Sequence, residues 1–338
     1  MAERSPVFIV GRMRSGTTLL RQMLNAHPQI YLTFENDVFF YHWVYRNITD
    51  PFEWLERYAE EVSFKLMEID VKSIRDSLPH DLQMGDIHLL FLAIMREKCR
   101  AQGKTRFGDK TPNLWKNLGF IFKYFEDPKV IHIVRDPRDV VNSLERVPWG
   151  MGSRLCSNFY CRLEMSQVAR YRSRILEIKM EDLIAEPRKS LESVLDYIGE
   201  PWDDRVLEYQ KHAPRDANHD WPGLSSATKA LDRTKRHGRH SNALGPVWNR
   251  LVEKHNRENM AWYGYRPFEL EREPTAAEYV REIVKDVPGA CRYFYKLGRL
   301  FTLIRCADVS AQAKVENVFD LNPKGWKYHP GRVTPVVK

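Results

Sequence analysis

The chain has 338 residues, 43% of them hydrophobic, 29% charged and 12% aromatic, a length that suits one large domain or one domain with appendages. Gly and Pro number 17 and 19 and are scattered, which excludes a fibrous or low-complexity chain. Lys and Arg total 53 against 45 Asp and Glu; the formal charge of +8 favours an anionic ligand or surface without demanding nucleic acid, for which there is no motif.

Pro6 to Gly11 (PVFIVG) is a short apolar run ending in glycine, the pattern of a fully buried strand. It is too short for a signal peptide or a membrane span, and no later window qualifies as a span, so a soluble cytoplasmic protein is the expectation. Thr17 to Ala26 places Leu19, Leu20, Met23 and Leu24 on one helical face, and His27-Pro28 ends that helix. Ile30, Leu32 and Phe34 mark a strand emerging from the core. Residues 51–101 carry the stripes of two or three helices. Val130 to Val134 (VIHIV) is a second buried strand, after which Asp136-Pro137 opens a helix through Leu144. Ile175 to Met180 is a third, followed by a helix from about Arg188 to Ile198. Strands separated by helices argue a parallel sheet covered on both faces.

Residues 213–242 are polar and show little periodicity, the pattern of a long loop, functional or disordered. A helix from Ala243 to about Trp262 closes a main domain of residues 1–267, leaving 268–338 as a C-terminal extension of unassigned role. Within it, Arg292 to Phe301 mixes cations and aromatics; this pattern can serve a membrane surface, but packing of the aromatics on the main domain is the expected outcome. The five cysteines, Cys99, Cys156, Cys161, Cys291 and Cys306, lack CxxC spacing and are expected to be free thiols in a reducing compartment.

The most informative segment is Gly11-Arg12-Met13-Arg14-Ser15-Gly16-Thr17-Thr18, between a strand and a helix. Two glycines five apart let the backbone N–H groups converge at a helix N-terminus, where the dipole favours phosphate. A nucleotide triphosphatase would carry lysine where Thr17 stands, so the loop is poorly built for a β/γ-phosphate, although Arg14 supplies a cation. The second constellation is His132 to Ser143 (HIVRDPRDVVNS). Arg135 falls at the carboxyl end of a strand, the edge where open α/β sheets bind ligands, and Ser143 lies about two turns into the next helix. An arginine and a hydroxyl converging on one anion make a phosphate clamp. Two alternatives stay open on these residues alone: a kinase-like strand with a magnesium-binding Asp136, and a surface ion pair between Arg135 and Asp136.

Together these segments resemble the sulfotransferases that use 3′-phosphoadenylyl sulfate (PAPS). GRMRSGTTLL resembles their 5′-phosphosulfate loop, VIHIVRDPRDVVNS their 3′-phosphate motif, and residues 178–202 the segment after their third strand; the similarity covers residues 6 to about 265. The resemblance implies an α/β fold of P-loop-like type, a three-layer sandwich with a central parallel sheet, with a helical insertion at about 36–105. It places Arg14, Ser15, Gly16, Thr17 and Thr18 on the 5′-phosphosulfate, and Arg135 and Ser143 on the 3′-phosphate. It also accounts for the missing lysine, because a singly charged sulfuryl group needs no magnesium clamp and no metal is expected.

RSGTTLLRQMLNAHPQIYLTFE looks most like the tyrosylprotein sulfotransferases and related bacterial enzymes, in which a glutamate at the position of Glu35 is the general base. Lys110, in Gly108-Asp109-Lys110-Thr111-Pro112, matches the subgroup lysine that helps the phosphate leave; without the family it would be a solvated lysine in a turn. His132 lies inside an apolar strand without a motif match and is expected to be a satisfied core histidine rather than a base. Lys235 and Arg239, in the basic cluster TKRHGRH, are the choices for a loop folded over the donor, although the segment departs from the family's usual glycine–tryptophan form. The implied reaction carries the sulfuryl group of PAPS to an acceptor hydroxyl, or alternatively an amine. The rivals are a P-loop kinase using ATP and magnesium, and a non-catalytic nucleotide-binding protein. The sequence sets neither the acceptor (metabolite, glycan, lipid or peptide) nor the oligomeric state.

Overall fold

The computed structural model describes residues 5–147, 150–215, 243–306, 326–329 and 332–335, with side chains described up to residue 299. Five strands, β1 (Val7–Gly11), β2 (Ile30–Phe34), β3 (Arg106–Lys110), β4 (Lys129–Val134) and β5 (Ile175–Lys179), form one sheet in the order β2-β3-β1-β4-β5. Every neighbouring pair is parallel. Parallel neighbours need crossover connections, and here helices supply them and cover both faces. The alternation along β1 shows the three layers. Val7 and Ile9 pack with Leu20, Leu24, Ile133 and Leu195 on one face. Phe8 and Val10 pack with Tyr31, Trp54, Phe91 and Val130 on the other.

Strand β3 was not expected, because RFGDK has only one large apolar residue. All five of its residues are nevertheless buried, since it lies between β1 and β2 and is hydrogen-bonded on both sides. The segment between β2 and β3 is also more divided than its stripes imply. It forms the helices Val38–Val44, Pro51–Ala59, Val62–Lys65, Val71–Asp76 and Ile87–Ala101. Side-chain caps enforce breaks: Asp50 accepts from the Phe52 and Glu53 amides at 2.7 and 3.0 Å, and Asp70 from the Lys72 amide at 3.1 Å.

The helix expected over 243–262 is two, Pro246–His255 and Arg257–Trp262, jointed at buried Asn256. The C-terminal extension, whose role the sequence left unassigned, contains a 31-residue helix, Ala276–Cys306, and an antiparallel pair, Trp326–His329 with Arg332–Pro335. Among the described residues, no helix is long and apolar enough to cross a membrane.

Candidate active site

The carboxyl ends of β1 to β4 converge on one edge of the sheet, and the loop after β1 crosses it. Arg14 (φ 73°) and Gly16 (φ 95°) both take left-handed backbone conformations, which turn the chain back into the helix Thr17–Asn25. Gly16 is required there: besides its φ, a Cβ would meet Met180 Sδ at 2.1 Å. The loop closes through the Ser15 amide, which donates to the Arg12 carbonyl at 3.0 Å. Ser15 and Thr17 are buried, Thr18 half-buried, and the helix start has no side-chain cap. A helix N-terminus without such a cap keeps donors for an anion.

Strand β4 and the helix Pro137–Leu144 bring Arg135 and Ser143 to this loop. Arg14 Nε donates to Ser143 Oγ at 3.0 Å, and an Arg135 Nη donates to the Arg14 carbonyl at 3.0 Å. The two motifs, apart in sequence, therefore form one basic cluster. Arg14, expected on the loop's own phosphate, bridges to the serine expected on the other. Burial and the like charge of Arg135 lower the Arg14 pKa.

Asp136 is committed elsewhere. It caps the Pro137–Leu144 helix and is sealed by Arg138, whose guanidinium lies 2.7 Å away, while its own amide donates to Glu181. Arg135 instead approaches Asp139 at 3.7 Å, so the surface pair of Arg135 with Asp136 is not formed.

Across the loop, Glu35 and Lys110 meet. Lys110 ends β3 opposite Phe34, and the Glu35 amide donates to the Lys110 carbonyl at 3.0 Å. Lys110 Nζ lies 2.5 Å from Glu35 Oε1 and 3.6 Å from the centre of the Phe34 ring. Lys110 is fully buried, not the solvated turn lysine that the bare sequence permits, whereas the Glu35 side chain is 36% exposed. Burial lowers the Lys110 pKa, and the Glu35 carboxylate opposes that shift. Glu35 itself sits at φ 43°, a turn that aims it back over the strand ends.

Residues without a motif signal hold this geometry. Arg21 Nε donates to the Leu32 and Thr33 carbonyls at 2.8 and 3.2 Å, and Asn25 brackets the Leu32 backbone at 2.8 and 3.1 Å. They clamp β2 to the loop's helix and so set Glu35 beside the loop. Asp109 is buried against Thr33 Oγ1 at 2.6 Å, and burial pushes its pKa up to about 6. Asp37 is pushed well up by burial and by the charges of Glu35 and Asp109. Polar residues at helical and strand positions facing the core were the available signal for Arg21, Asn25 and Asp109; Asp37 lies in the turn before the Val38–Val44 helix.

His132 is fully buried in β4, with Glu164 3.0 Å from Nε2 and Glu177 3.3 Å from Nδ1. It is thus saturated by two carboxylates. Lys235 and Arg239 lie outside the described residues.

A parallel sheet with a glycine-bounded loop at its carboxyl edge, beside a lysine–glutamate pair, defines an α/β protein of the class whose ligands sit at the strand ends. The sulfotransferase family's sequence model matches residues 6–204, and the chain belongs to that family. It is 26% identical over 215 residues to a protein-tyrosine sulfotransferase of Drosophila melanogaster, covering 61% of this chain and 40% of the relative. Protein-tyrosine sulfotransferase 2 of Gallus gallus gives the same identity and length of match, over 54% of the relative. The chain thus spans about half or less of the relatives' length. Its fold resembles the sulfotransferase domain of the Synechococcus PCC 7002 olefin synthase, with a TM-score of 0.51 at 18% identity, covering 79% of this chain and 98% of that domain.

Proposed function

We propose that the protein moves the sulfuryl group of PAPS to an acceptor hydroxyl, giving a sulfate ester and adenosine 3′,5′-bisphosphate. The observation that carries this reading is the Glu35–Lys110 pair, 2.5 Å apart at the sheet edge that bears the anion loop. The residues fit the donor. The clustered cations Arg14 and Arg135 with Ser143 suit a 3′-phosphate, and the uncapped start of the Thr17 helix suits a 5′-phosphosulfate.

The donor supplies an activated sulfuryl group whose bridging oxygen must leave with negative charge. Glu35 is the group that takes the acceptor proton as the new S–O bond forms and the bond to the bridging oxygen breaks. Lys110 offsets the charge on the departing oxygen. The two roles are coupled. While ionised, Glu35 neutralises the buried ammonium. A proton arriving on Glu35 ends that attraction, so the Lys110 charge becomes available to the leaving group at the moment it is needed.

The test of the donor is thermal. Adenosine 3′,5′-bisphosphate should raise Tm without magnesium, and far more than AMP does, because only it engages Arg135 and Ser143. Equal shifts would overturn the assignment. The test of the reaction is transfer of label from sulfur-labelled PAPS to a component of cell extract; nucleotide binding with no transfer would leave a non-catalytic binding protein.

A further inference from the structure

The helix Ala276–Cys306 carries three different faces up to residue 299. Successive residues turn by about 100° around an α-helix, which sorts the side chains into stripes. One stripe (Glu282, Asp286, Gly289, Tyr293) turns toward the main domain. Gly289 is buried so tightly that a Cβ would lie 2.0 Å from the Gly152 carbonyl oxygen, and the Tyr293 ring lies 6.1 Å from Tyr160. A second stripe is apolar and faces solvent: Val280, Val284, Val287, Phe294 and Tyr295 are 61, 60, 43, 60 and 67% exposed, and exposed Cys291 lies between them. A third, beside it, holds Arg281, Lys285, Arg292, Lys296 and Arg299, all exposed.

Every exposed charge on residues 276–299 is therefore positive. The acids of this stretch are turned inward or engaged: Glu278 with Arg272 and Thr275, Glu282 with Lys285, and Asp286 with Ser153, Arg154 and Leu155. Aromatics expected to pack are split by this arrangement, Tyr293 inward and Phe294 and Tyr295 outward. An exposed apolar stripe of this length is unusual on a soluble surface and marks a contact.

We propose that this helix docks the protein on an anionic lipid surface, lying in the plane of the interface. The apolar stripe enters the headgroup region while the adjoining cations meet lipid phosphates. The charge pattern selects this occupant over a second copy of the chain. Two copies packed antiparallel through the stripe would set cations against cations, and packed parallel would set them against Ile283, Ala290 and Leu297, with no exposed acid on the face to match them in either case. The placement also has a consequence for the active site. Tyr293 touches Tyr160, over whose ring the guanidinium of Arg12 stacks at 5.1 Å, and Arg12 belongs to the anion loop. The docked helix is thereby joined to that loop through Tyr293 and Tyr160. The docking itself does not depend on the identity of the donor or acceptor.

The experiment is co-sedimentation of the whole chain with vesicles of phosphatidylcholine alone and of phosphatidylcholine with phosphatidylglycerol. Binding is expected only to the anionic vesicles and should weaken steeply with salt. Each lost cation is worth about fivefold, so the Arg281→Gln/Arg292→Gln variant should bind about 25-fold more weakly. Phe294→Ser/Tyr295→Ser should abolish sedimentation. Both variants alter only exposed side chains, and an unchanged Tm checks that they fold. No sedimentation of the parent with either vesicle, equal binding to both, or binding untouched by these variants would overturn the proposal. So would a vesicle-independent dimer that Val284→Gln dissociates, which would assign the stripe to a second copy.

Discussion

At the scale of single residues, Glu35 and Lys110 give separable expectations. General-base assistance is typically worth ~10²–10⁴ in rate. Glu35→Gln keeps shape and hydrogen-bonding capacity, so kcat should fall by about that factor while the Tm shift from adenosine 3′,5′-bisphosphate stays nearly parental. Near-parental turnover at saturating acceptor would remove Glu35 from the role. Lys110→Ala should lower kcat strongly and alter PAPS affinity less, as expected of an interaction made mainly in the transition state. A loss confined to PAPS affinity would make Lys110 a docking cation. Arg14 is different, because its side chain reaches Ser143 rather than the loop's own backbone. Arg14→Met should therefore reduce the Tm advantage of the bisphosphate over AMP; the unchanged advantage would separate Arg14 from the 3′-phosphate. The identities of these residues were legible in the motifs. The Lys110–Glu35 contact was not, because 75 positions separate the partners and no local pattern encodes their meeting.

Among the elements, β4 carries Arg135 beyond its carboxyl end and a buried ionic core within it. His132 stands between Glu164 and Glu177, and Glu177 also accepts from Tyr263 and faces Arg172 at 3.6 Å. Burial opposes charge on His132, but the two carboxylates prevail and raise its pKa. A raised histidine pKa stabilises the fold fully below its unfolded value of about 6.5, and that contribution disappears as pH rises through the folded value. Glu177 works in the opposite sense. Burial opposes its ionisation, His132 and Tyr263 outweigh it, and its pKa is lowered, so its contribution is lost as pH falls through the lowered value. His132→Gln should abolish the decline in Tm on the alkaline side of that window. Parallel Tm–pH curves for parent and variant would show that His132 does not hold a proton in the fold. The apolar run VIHIV announced the strand. The charge pair inside it comes from the Arg154–Val168 helix and from β5, which the strand's own pattern cannot reveal.

For the whole molecule, Asp286 supplies the charged contact among those that attach the C-terminal helix to the main domain. Asp286 accepts from Ser153 Oγ and from the amides of Arg154 and Leu155 at 2.5, 2.8 and 3.0 Å. It thereby caps, from a distant element, the N-terminus of the Arg154–Val168 helix, where the dipole favours a negative group. Hydrogen bonds to a charged group contribute about 2 kcal/mol, so Asp286→Ala should raise the open population of the extension by about 30-fold. Limited proteolysis between the main domain and the helix should accelerate by that order, with the nucleotide-induced Tm shift preserved. Unchanged cleavage would place the anchorage elsewhere, on Gly289 and Tyr293.

Buried strands, a glycine-bounded loop and an arginine followed eight residues later by serine are local patterns. Each is set by hydrophobic period or by backbone chemistry within a dozen residues, and so each was legible in the chain. That covers the α/β class and the sheet edge on which the glycine loop, Arg135 and Ser143 gather. Strand β3 became a strand only between two neighbours, since its own residues carry no period. Arg14 joined Ser143, and Glu35 met Lys110, only because the sheet order β2-β3-β1-β4 brings four strand ends side by side. Lys110 is buried for the same reason, and its lowered pKa follows from that burial. The outward turn of Phe294 and Tyr295 was likewise decided in three dimensions: Asp286 and Gly289 set which side of the helix meets the domain, and the rest of its circumference is left facing out.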